Sequence, residues 1–99
     1  MNKAAKDAYS DKMQAKIDKA QAEIQRLQAD LKEKNADARL ALDGQLARLR
    51  EQKDSLQTRV GELTTGGAVA WDAAKSGITN AWQELESGLA DAREKLKQT

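Results

Sequence analysis

The chain has 99 residues, 39% hydrophobic, 33% charged and only 3% aromatic, with no proline, phenylalanine, cysteine or histidine. That length fits one domain, and the missing turn breakers and bulky strand residues exclude a β-sandwich or barrel. Seventeen basic and sixteen acidic residues leave a net charge of +1 with both signs interspersed, so no basic stripe marks a nucleic-acid binder.

Met1 to Ser10 is polar and lacks the apolar core of a signal peptide. No run approaches the roughly 18 apolar residues of a membrane span, so a cytoplasmic protein is expected. From Met13 the apolar residues step by four and three: Met13, Ile17, Ala20, Ile24, Leu27 and Leu31. This is the a/d seam of a coiled coil. The seam resumes at Leu42, Leu46, Leu49, Leu56, Val60 and Leu63. Opposite charges at Lys19–Glu23, Asp30–Lys34, Arg39–Asp43 and Arg50–Asp54 sit at i,i+4 spacing, which supports helix at about 0.2–0.5 kcal/mol a pair.

Between Leu31 and Leu42 the step is eleven residues. A helix that runs straight through such a step locally unwinds its supercoil. A turn near Asn35-Ala36-Asp37 is the alternative, and it gives three helices of similar length. The stretch holds no proline and a lone glycine, Gly44, so the continuous helix is the expected form. Thr64-Thr65-Gly66-Gly67 carries stronger turn chemistry, with glycines for a left-handed C-cap and threonines for the next N-cap.

The last segment, Ala68 to Leu96, sets Trp71, Ala74, Ile78, Trp82, Leu85, Leu89, Ala92 and Leu96 on one stripe. Ala70-Trp71 recurs as Ala81-Trp82, and Ser76-Gly77-Ile78 as Ser87-Gly88-Leu89, both eleven residues on. Glycine is costly inside a helix, so its recurrence beside alanines points to a lane for close helix approach. The tryptophans read as anchors of the helix–helix seam, with each indole N–H at the wet edge.

Without histidine or cysteine, the commonest general base, most nucleophile–base pairs and most transition-metal sites are missing. The carboxylates sit at helix-surface spacing beside lysine or arginine, and no phosphate-binding glycine motif is present. No enzyme activity, cofactor or metal is expected.

Ala70 to Gly77, followed by Ala81-Trp82-Gln83-Glu84-Leu85, resembles the tail of small bacterial coiled-coil proteins of the cyanobacterial stress-response type. In those, a long alanine-rich coiled-coil helix precedes a tryptophan-bearing one. The eleven-residue rhythm is also similar to that of exchangeable apolipoproteins and desiccation-protective LEA proteins. The likeness implies a role in stress physiology and transfers no functional residue.

The sequence therefore predicts one all-α domain over 1–99. It is an antiparallel helical hairpin or coiled coil, with a helix over about 6–64, a turn at 64–67 and a helix over about 68–97; a three-helix bundle is the alternative. In the hairpin, Leu42, Leu46, Leu49, Leu56, Val60 and Leu63 pack on Trp71, Ile78, Trp82, Leu85, Leu89 and Leu96. A helix of about 58 residues is about 87 Å long, and its partner of about 30 residues only about 45 Å. Met13, Ile17, Ile24, Leu27 and Leu31 stay uncovered, an apolar patch that predicts a homodimer or docking on another helical protein. The second functional class is a peripheral protein on a membrane surface. It fits less well, because Asp72, Glu84 and Glu86 offset Lys75, Arg93 and Lys95 on the last helix, whereas interfacial helices favour Lys/Arg-rich polar faces.

Overall fold

The computed structural model describes residues 3–65 and 71–98. These form three helices: α1 over Lys3–Lys32, α2 over Ala36–Thr65 and α3 over Trp71–Gln98. The fold is all-α, and the two-helix hairpin is corrected to a bundle of three helices of nearly equal length. The turn expected at Thr64–Gly67 falls largely outside the described residues; α2 runs to Thr65.

The expected continuous helix breaks at Glu33-Lys34-Asn35. The end of α1 tightens as the N–H of Glu33 bonds the Asp30 carbonyl (3.2 Å) and the N–H of Lys34 bonds that of Leu31 (3.0 Å). The Asn35 side chain then caps α2, its Oδ1 accepting the N–H of Ala38 at 2.9 Å. The Asn35 carbonyl accepts the first helical bond, from Arg39, at 3.1 Å. No described residue has a left-handed backbone, so this turn needs no glycine. The eleven-residue step from Leu31 to Leu42 is the seam passing from one helix to the next.

A heptad repeat underlies α1. Residues 9–15 read YSDKMQA, 16–22 KIDKAQA, 23–29 EIQRLQA and 30–36 DLKEKNA. The fourth unit carries Asn35 where the others carry Gln14, Gln21 and Gln28. One methylene shorter, the amide of Asn35 reaches its own backbone and starts a new helix.

Cross-helix contacts fix the topology. Tyr9 meets Trp71, Lys16 meets Trp82 and Glu23 meets Arg93, so α1 and α3 run parallel. Gln45 meets Asp91, and Leu49 lies against Gly88, so α2 runs antiparallel to α3. The bundle measures 51 × 18 × 17 Å. Its radius of gyration is 15.7 Å, against about 13 Å for a compact domain of this size, so the molecule is a short rod.

Candidate interaction surface

The seam assigned to self-association lies inside its own chain. Met13, Ile17, Ile24, Leu27 and Leu31 are each buried to 4% exposure or less. They join Ala20, Leu42, Leu46, Leu49, Leu56, Val60, Leu63, Trp71, Ile78, Leu85, Leu89, Ala92 and Leu96 in one core. The dimer drive reckoned from an open seam therefore disappears: α2 and α3 cover what a continuous first helix leaves bare. Ala38, one turn into α2, is also buried, a position the sequence pattern did not single out.

The two tryptophans differ. Trp71 is buried, and its ring meets Tyr9 edge-on at 5.6 Å between centroids. The Tyr9 hydroxyl donates to the Lys75 carbonyl at 3.3 Å and lies 3.2 Å from Thr79 Oγ1, tying α1 to α3. Trp82 is only partly buried beside the core, and the Lys16 ammonium sits 5.5 Å from its ring centroid. The small-residue lane is a packing device at Gly88, where an added Cβ would lie 2.5 Å from Leu49 Cδ2. At Gly77 the nearest group is the end of Arg59, at 3.6 Å.

Lys53 interrupts the seam of α2 between Leu49 and Leu56. Its side chain is mostly buried and its ammonium reaches Asp54 at the surface. A single lysine at a core position sets helix register at some cost in stability.

Polar contacts bind α3 to both neighbours. Arg93 Nη1 pairs with Glu23 Oε1 at 2.6 Å. Gln45 Nε2 donates to Asp91 Oδ2 at 2.8 Å, and Lys95 bridges Asp91 and Gln45 at 3.2 Å to each. The Gln45 amide and the Lys95 ammonium hold the Asp91 carboxyl below the usual carboxylate range. With its folded value depressed, this group stabilises fully above the ordinary carboxylate pKa. That contribution is lost as pH falls through the folded value.

Two open grooves flank α3. One, between α1 and α3, is lined by Lys19, Arg26, Lys34, Arg93 and Lys97 with Glu23, Asp30 and Glu33. The other, between α2 and α3, is lined by Arg48, Arg59, Gln52, Ser55, Asn80 and Glu84. Both are mixed in charge. Among the described residues no cluster of carboxylates is placed to hold a metal, and no helix is long and apolar enough to cross a membrane. Leu40 stands apart: it is 79% exposed, the exposed large hydrophobic of the described surface. No protein-family model, no curated protein and no solved structure matches the chain.

Proposed function

We propose that the protein is a non-catalytic helical interaction module, working in the cytoplasm through the outer faces of its bundle, on partner helices or on a second copy of itself. The observation that carries this reading is the division of the surface from the seam. The three helices bury their apolar stripes against one another, and what remains outside is regular helix face edged with both charges. Such faces recognise other helices by shape and charge. The likeness of residues 70–85 to stress-response coiled-coil proteins supports a role in stress physiology.

The test combines two measurements. Photo-crosslinkers at exposed positions on each helix, in intact cells, should give discrete protein adducts from one face of the rod and none from the others. Vesicle flotation with zwitterionic and anionic lipid should leave the protein at the bottom of the gradient. Flotation with either lipid, and no protein adduct, would replace this reading with peripheral membrane binding.

A further inference from the structure

Resting on that reading, we propose that the outer face of the first half of α2 pairs with the same face of a second copy, antiparallel and around a two-fold axis that crosses the pair level with Leu42, whose own side chain is in the core. The observation behind it is Leu40, which projects into solvent while every apolar residue of the seam is covered. One turn further along the same side is Gly44, and nothing lies within 4 Å of where its Cβ would be. An exposed leucine and an open notch four residues apart on one helix are self-complementary when the helix meets itself antiparallel. Leu40 of each copy enters the notch at Gly44 of the other.

The charges agree with that register. Asp37 and Arg48 are both exposed and eleven residues apart, so they lie on nearly the same side of α2. They are spaced almost evenly about the axis that pairs Leu40 with Gly44. Antiparallel docking therefore sets Asp37 of each copy against Arg48 of its partner. A parallel pairing would set Asp37 against Asp37 and Arg48 against Arg48. The two-fold makes the contact isologous and closed, giving a dimer and no filament. One helix crossing buries less than the roughly 1,200 Å² of a durable interface, so the dimer is weak and concentration-dependent.

Sedimentation equilibrium from about ten micromolar to about one millimolar tests it. The mass should rise from 10.9 kDa toward twice that value for the unaltered chain. It should stay at 10.9 kDa for Leu40→Glu, whose position is exposed and whose fold should be unchanged by circular dichroism. Ala15→Glu, on the outer face of α1, should dimerise as the unaltered chain does. Arg48→Asp should weaken dimerisation at least tenfold, and adding Asp37→Arg should restore it. A monomer throughout the range overturns the dimer and leaves the crosslinking test of partner docking standing. A dimer indifferent to Leu40→Glu and Arg48→Asp overturns this interface but not self-association.

Discussion

Asn35 stands where the chain turns from α1 into α2. It ends the repeat of α1 and caps α2 through its bond to Ala38. Asn35→Ala should lower stability by about 1 kcal/mol, within the 0.5–2 kcal/mol usual for a lost N-cap. Urea unfolding with an unchanged slope would measure it. Gln21 carries the opposite lesson, since its Oε1 is sealed from solvent without a hydrogen-bond partner. Gln21→Leu should raise stability by about 1 kcal/mol, because an unmet buried acceptor costs about that much or more. The core was legible residue by residue: the a/d seam named nearly all of it, down to Ala20 and Ala92. The turn was harder to see. A glycine or proline signal accompanies turns that need left-handed or fixed backbone, and this turn needs neither. Its signal is an asparagine with an aspartate two residues on, which in an alanine-rich helical sequence looks like ordinary surface.

At the scale of the element, the glycines separate by what faces them. Gly44→Ala should stabilise the isolated chain by about 0.5–1 kcal/mol, since the site is open and glycine in a helix interior is costly. Gly88→Ala should instead lower stability by about 1 kcal/mol. The new methyl meets Leu49, which is itself only 2% exposed and has little room to move. Thermal melts of the two variants, side by side, give opposite shifts if α2 and α3 pack as described. The tryptophans divide in the same way. Trp71→Ala should cost about 3–5 kcal/mol and Trp82→Ala clearly less, because only Trp71 is fully enclosed. The sequence placed both rings on one stripe but not at different depths. That difference arises because Trp82 lies toward α1, under Lys16, at the margin of the core.

For the whole molecule, the question is whether the chain doubles back after α1. Spin labels at Asp18 and Arg50 would lie about 48 Å apart on a continuous helix. In the bundle the chain doubles back at 33–35, which brings the two positions level on neighbouring helices, so a separation below about 20 Å is expected. A dimer through Met13 to Leu31 requires an unbroken first helix that leaves those side chains bare. Once the chain turns at Asn35, the same five side chains are satisfied at home. Lateral order across the bundle, such as Arg93 with Glu23, was not legible either. Heptad spacing says which side of a helix faces inward, and not which neighbour lies clockwise.

The parallel course of α1 and α3 has a mechanical side. With an odd number of passes, the chain enters the rod at Lys3 and leaves it at Gln98, at opposite ends. Cargo joined to the two ends is held about 45 Å apart, a helix length, by a stiff strut. Tension applied through the ends runs along the bundle and loads the helices in shear, so the whole seam resists at once. Rejoining the termini to make a permuted chain would need a linker of at least about 13 extended residues, where an even-pass bundle would need only a short loop.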